Sequence, residues 1–301
     1  MSVVHFIHSG SAYLPELSAY ATHLNALGHS SQVHARADTV PDDATMVWWI
    51  CGHISRAHSQ RLHRSVHVHE YASASVPPGA WLKDRIKQHT HPRPHHRIFQ
   101  SEWVRQRMGL LDPVPYSLRD MGVPEHFFTA QAHGAAEFDL VYLGAMSRLL
   151  SFGPTLQAID QAGLRLLLIG DVPTELQSRL QALRHVHCTG RIPHSEVPTQ
   201  LLRARAGLNL MPPVLPLTEQ TSTKLLEYLA LGLPVISNDY PWARRMAQHH
   251  DSRIQLVHDL DHATAWHTAL MHAAPPQTDR SHLRHLGWAT QLTHLPVWQL
   301  L

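Results

Sequence analysis

The densest chemistry in this 301-residue chain lies between Glu219 and Asp239. The segment reads Glu-Gln-Thr-Ser-Thr-Lys-Leu-Leu-Glu-Tyr-Leu-Ala-Leu-Gly-Leu-Pro-Val-Ile-Ser-Asn-Asp. Thr221, Ser222 and Thr223 stand where a helix should begin. The first N–H groups of a helix have no partner within it, and its dipole favours an anion there. Hydroxyls at the tip supplement those groups, so the tip can bind a diphosphate without help from global charge. Lys224 adds a mobile cation at the same end. Glu227, one turn further in, can accept both hydroxyls of a ribose, as a carboxylate in a dry cleft can. Gly232 and Pro234 then end the helix and return the chain to a buried strand. Taken alone, the stretch also reads as an ordinary capped helix with a solvated acid. Its surroundings decide.

The elements around it alternate. Residues 3–7 form an apolar run, and Pro15-Glu16 opens a helix with Leu17, Tyr20, Ala21, Leu24 and Leu27 on one face, closed by Gly28. Strands are expected at 46–51, 65–69 and 97–100, with a helix at 81–87 and another at 102–108 capped by Ser101. After a pause near 124–134, strands at 140–143, 164–169, 185–188, 207–211 and 235–237 alternate with helices at 155–162, 174–183, 196–204 and 222–231. Such alternation implies a parallel sheet covered on both faces, and it occurs twice. The fold class is α/β, with two Rossmann-like domains and the break near 128–138. Ligands of such sheets bind beyond the C-terminal strand ends, here expected to be a central cleft between the halves.

Composition narrows the classes. The chain is 44% hydrophobic and 16% charged, which is globular, and its length suits two domains of about 150 residues. The formal charge of +2 gives no strong field toward nucleic acid. No apolar run approaches the roughly 20 residues that span a bilayer, and residues 1–10 read as a first strand rather than a signal peptide. Cys51 and Cys188 sit among strand-like residues and are expected as buried thiols of a reducing cytoplasm. The 28 histidines are scattered, without the spacing of a zinc site, so no metal is assigned. They should make net charge rise steeply from about pH 7 to 5.5.

With these residues in view, the sequence resembles the GT-B glycosyltransferases of family 4. Their signature is a glutamate, seven residues, and a second glutamate on a helix ending in Gly-x-Pro-Val, matched by Glu219, Glu227 and Gly232-Leu-Pro-Val. Val141-Tyr-Leu-Gly144, Leu167-Leu-Ile-Gly170-Asp171, Val186-His-Cys-Thr-Gly190 and Ala206-Gly-Leu-Asn-Leu-Met-Pro212 resemble the family's four leading C-domain strands in order. Leu24 to His29, Met121-Gly-Val-Pro-Glu-His-Phe-Phe128 and Leu286-Gly-Trp288 resemble its first helix, hinge segment and C-terminal helix. The resemblance implies an acceptor-side domain at 1–130, a nucleotide-sugar-binding domain at 131–285, and a C-terminal helix at 286–301 packing toward the N-terminal domain.

It also implies roles. Glu227 binds the ribose and Glu219 the donor sugar's hydroxyls. Gly10 lets the first turn approach the donor, and His69 faces the reacting sugar. Gly190, Thr221, Ser222, Thr223, Lys224 and Arg148 complete the donor side. One departure stands out: the arginine expected after Gly144 is Ala145, with Arg148 three residues later and no lysine in 149–153. The departure leaves two readings open: Arg148 with Lys224 substitutes as the clamp, or the enzyme is weak or inactive.

The implied reaction is retaining transfer of a sugar from a nucleotide diphosphate, UDP favoured over GDP, to a hydroxyl of a glycan or lipid-linked acceptor, with no cofactor or metal. The setting is surface polysaccharide or glycan synthesis in the cytoplasm, with peripheral contact at the inner face of the membrane left open. Two rivals remain open: a nucleotide-sugar epimerase and a non-catalytic nucleotide-sugar-binding protein of the same fold.

Overall fold

The structure, a computed structural model, describes every residue except 9, 11–13, 51, 53, 251 and 252. The chain forms two units, one of Met1–Gly122 with Trp288–Leu301 and one of Val123–Gly287.

The first unit holds six parallel strands: β1 (Val3–Ile7), β2 (Ser30–His34), β3 (Met46–Ile50), β4 (Val66–Tyr71), β5 (His96–Phe99) and β6 (Tyr116–Leu118), ordered 2-1-3-4-5-6. Sequence pattern misses β2 and β6, the two edges. β2 is Ser-Ser-Gln-Val-His with only His34 buried, and β6 has three residues, so neither carries an apolar run. Alternation sends side chains to two faces. On one face Val4, Phe6, Trp48, Val68 and Ile98 pack against Tyr20 and Leu24 of the helix Pro15–Ala26, and against Trp288, Leu292 and Val297 from the chain's last segment.

This face is pinned by a buried ion pair. The Glu70 carboxylate accepts the Trp48 indole N–H at 2.7 Å and the Tyr20 hydroxyl at 3.0 Å, and pairs with Arg119. The Arg119 guanidinium in turn lies 5.3 Å from the Trp288 ring. The opposite face buries histidines among its apolar residues. His5 and His34 meet ring to ring at 3.0 Å, and the Trp49 indole donates to His67 at 3.1 Å.

The second unit holds β7 (Phe138–Leu143), β8 (Leu166–Ile169), β9 (Val186–Gly190), β10 (Ala204–Asn209), β11 (Val235–Asn238) and β12 (Ile254–Val257), all parallel and ordered 12-11-10-7-8-9. The core is apolar: Leu140, Leu166, Leu168, Leu208 and Ile236 of the sheet meet Leu156, Ile159 and Trp266 of its helices. The edge strand β12 is again one that pattern alone does not find. Cys188, expected to be buried, is exposed because β9 is the opposite edge, and Cys51 lies outside the described residues. The change of unit falls at Gly122–Val123, ahead of the expected break. The helix Glu125–Thr129 therefore belongs to the second unit, where Arg280 donates to the Ala130 carbonyl at 2.7 Å. Among the described residues no helix is long and apolar enough to cross a membrane.

Candidate active site

The second sheet starts at its centre, winds to one edge through β8 and β9, then restarts at β10 and winds to the other. The place where winding reverses is between β7 and β10, and ligands of such sheets bind beyond the strand ends there. The β7–β10 ladder ends at Val141 and Gly207, after which the strands part. Parting leaves backbone groups to be satisfied. The Tyr228 hydroxyl does this: it accepts the Leu143 N–H at 2.9 Å and points to the Leu208 carbonyl at 3.4 Å. Gly207 makes the room, since a Cβ there would come within 2.2 Å of the Tyr228 ring.

Tyr228 sits on the helix Thr223–Ala230, whose start is anchored inward. The Ser222 hydroxyl donates to the Asn209 side-chain oxygen at 2.7 Å, and Asn209 donates to Ser237 at 2.8 Å and Tyr240 at 2.9 Å. Ser222 is thus buried, and its hydroxyl is not the outward supplement that sequence suggests. The backbone tip of the helix still lies over the end of β10.

Lys224 is also corrected. Rather than a mobile surface cation it is 6% exposed, with its ammonium 4.4 Å from the Tyr142 ring centre. It donates to the Tyr142 hydroxyl at 3.3 Å and the Leu210 carbonyl at 3.5 Å, so it points back to the ends of β7 and β10. Burial, with the charge of Arg148 as a second cause, lowers its pKa to about 7, against the pull of Glu227. Arg148 is half-buried in the turn Met146–Phe152 that follows β7. Its influence on Lys224, Tyr142 and Tyr240 sets both cations at one end of the sheet.

The Glu227 carboxylate has only 13% of its side chain exposed and lies 3.6 Å from Nε2 of His194. Burial raises its pKa, while His194 and Lys224 oppose the rise. His194 is a residue the sequence reading misses. It follows Pro193 after β9, and its ring packs on His126 at 5.6 Å and Phe127 at 5.5 Å. No spacing to Glu227 announces it, because the two lie 33 positions apart in the chain. Glu219 is held by Arg245 of the helix Pro241–His250 at 2.9 Å. Thr221 and Thr223 are half-buried beside the helix start, and Gly190 closes β9 with φ 71°.

Gly10 and His69 lie in the first unit. Gly10 is exposed and flanked by residues outside the described set. His69 is 0% exposed, its Nε2 has no hydrogen-bond partner, and its ring meets those of His91 and Tyr71 edge-on. The expected presentation of His69 to a sugar is absent here: β4 continues two residues beyond it to Tyr71, which keeps it inside the sheet. Burial, then the charges of His91 and His67, holds its pKa well below the usual histidine value. Among the described residues no three His, Cys, Asp or Glu side chains group as a metal ion would require.

Residues 137–274, which span this arrangement, match the family model described as glycosyl transferases group 1. The matched residues lie within the second unit, and the match supports sugar transfer as the class of reaction. Solved structures agree on the fold, which is GT-B. AviGT4, a glycosyltransferase of avilamycin A biosynthesis, is 15% identical with a TM-score of 0.64, covering 100% of this chain and 97% of its own. Anabaena HepE, solved with UDP and glucose, is 11% identical with a TM-score of 0.68, covering 97% of each chain. A glycosyltransferase from Rickettsia africae is 10% identical with a TM-score of 0.69, covering 98% and 99%. No curated protein matches the sequence.

Proposed function

We propose that this chain transfers a sugar from a UDP-sugar to a hydroxyl of a glycan or lipid-linked acceptor, with retention at the anomeric carbon. The observation that carries the reading is the meeting of Glu227, Lys224 and Arg148 around the point where β7 and β10 part. Glu227 takes the two ribose hydroxyls, steadied by His194. The N–H groups at the tip of the helix Thr223–Ala230 and the two cations take the diphosphate. Glu219, oriented by Arg245, takes hydroxyls of the donor sugar. Two structural relatives support UDP over other bases: HepE is solved with UDP, and the T4 phage β-glucosyltransferase, with a TM-score of 0.54, is solved with UDP-glucose.

In the reaction the bond from sugar C1 to the diphosphate breaks as the acceptor oxygen attaches to C1. Negative charge grows on the departing phosphate, which takes the acceptor's proton. Donors already aimed at that phosphate stabilise the charge without rearranging, and this is the largest catalytic contribution to expect. Arg148 stands in for the arginine that Ala145 replaces.

Titration calorimetry with UDP tests the reading. Glu227→Ala should weaken binding at least tenfold, and Lys224→Met should weaken UDP more than uridine. Unchanged UDP affinity in Glu227→Ala refutes the assignment. Donor turnover with a panel of acceptors separates transfer from epimerisation, which needs no acceptor.

A further inference from the structure

We propose that the helix Ala80–Thr90 of the first unit docks on an anionic lipid surface. The helix is inside out. Its one buried side chain is an acid, Asp84, whose carboxylate accepts the Ser75 N–H at 3.2 Å. Its large apolar residues point the other way: Trp81, Leu82 and Ile86 are 62%, 49% and 47% exposed, and Val76 ahead of them is 51% exposed. Leu82 and Ile86 stand four apart and line one outward stripe. Helices that fold onto a protein core bury such a stripe. This one stays open to solvent with every described residue in place.

Charge names the occupant. The helix itself carries Lys83, Arg85 and Lys87 against one acid, Asp84, which is buried. Exposed Lys83 and Arg85 flank the Leu82–Ile86 stripe on its two sides. A surface that takes this face must be negative and must also accept apolar side chains a few ångströms deep. A bilayer containing anionic lipid does both: headgroups meet the cations while Trp81, Leu82 and Ile86 enter the boundary of the acyl chains. A soluble polyanion offers no apolar layer. A second copy would bring like charge against like charge. The docking face is independent of the donor-site reading, and it would hold the chain beside a lipid-linked acceptor.

Vesicle flotation tests the proposal on the full chain. Vesicles of equal phosphatidylglycerol and phosphatidylcholine should carry the protein at low salt, and pure phosphatidylcholine vesicles should carry it at least tenfold less well. Trp81 is the one exposed tryptophan among eight, so its emission should shift to the blue on binding, and Trp81→Phe should remove most of that shift. Leu82→Glu with Ile86→Glu should weaken flotation at least tenfold. Lys83→Glu with Arg85→Glu should weaken it by about fivefold or more per charge. Both double variants should keep the native melting temperature and UDP affinity, since all four side chains face outward. The proposal falls if the native chain floats equally with both vesicles, or if the Leu82/Ile86 variant floats like the native chain. It also falls if heparin binds the native chain and that variant equally while neither floats, or if the native chain instead forms a dimer that the variant abolishes.

Discussion

The two units share six parallel strands but place their polar groups differently. In the first, polarity is inside: Glu70 and Arg119 are 0% and 1% exposed within an aromatic core, and His5, His34, His67 and His69 replace aliphatics on the other face. In the second, the sheet interior is leucine, isoleucine and valine, and polar side chains gather at the strand ends around Asn209, Ser222, Lys224 and Glu227. A buried charge is costly unless paired, so each arrangement must be complete to be stable. The first unit uses its polar groups to define one packing. The second keeps an apolar frame and gathers its polarity at the strand ends.

The comparison can be broken most severely at Glu70. Glu70→Ala leaves Arg119 charged and buried, and should cost about 3–5 kcal/mol in urea unfolding. A loss near zero would mean the pair is not the pin of the first unit. The matching test in the second unit is Gly207→Ala. The new Cβ would force Tyr228 from its place, with a cost of about 1–3 kcal/mol and a loss of UDP affinity. Tyr228 unmoved and UDP affinity retained would show that the strand parting is not set by this contact.

Acid sharpens the contrast. Burial lowers the pKa values of His5, His23, His34, His67, His69 and His96 in the first unit, and of His126 and His250 in the second. A lowered folded pKa means the unfolded chain binds the proton more readily. The stability from these groups is therefore full above about pH 6.5 and is lost as pH falls below it. Hydrogen exchange at pH 5.5 should show the first unit opening before the second. Simultaneous opening would erase the distinction.

The smallest effect concerns Lys224. With its pKa lowered to about 7, the ammonium is largely neutral at pH 8 in the empty site. A diphosphate favours the charged form, so UDP binding at pH 8 should take up a proton, and affinity should fall by up to about tenfold per pH unit above 7. Equal binding enthalpies in Tris and HEPES would exclude that uptake.

Much of the frame was legible because strands and helices leave local marks. Apolar runs followed by Gly located β1, β3 and β7, and the polar start at Thr221–Thr223 with the Gly232–Pro234 end located the helix that carries the candidate site. Edge strands β2, β6 and β12 escaped because a strand paired on one side needs little apolar character. Side-chain direction escaped for a different reason. Whether Ser222 faces a ligand or Asn209, whether Lys224 reaches out or turns toward Tyr142, and whether His69 ends a strand or lies within one depend on neighbours far away in the chain.

The sequence by itself determined the α/β class and the order of most elements, since these follow from periodicity along the chain; Glu219 and Glu227 stood out together only through the family resemblance. Only the tertiary structure decided that β7 and β10 part under Tyr228, that His194 stands beside Glu227, and that the helix Ala80–Thr90 turns its apolar residues outward. Each of these depends on which distant segments share one volume, and close packing selects that arrangement from many that local pattern allows.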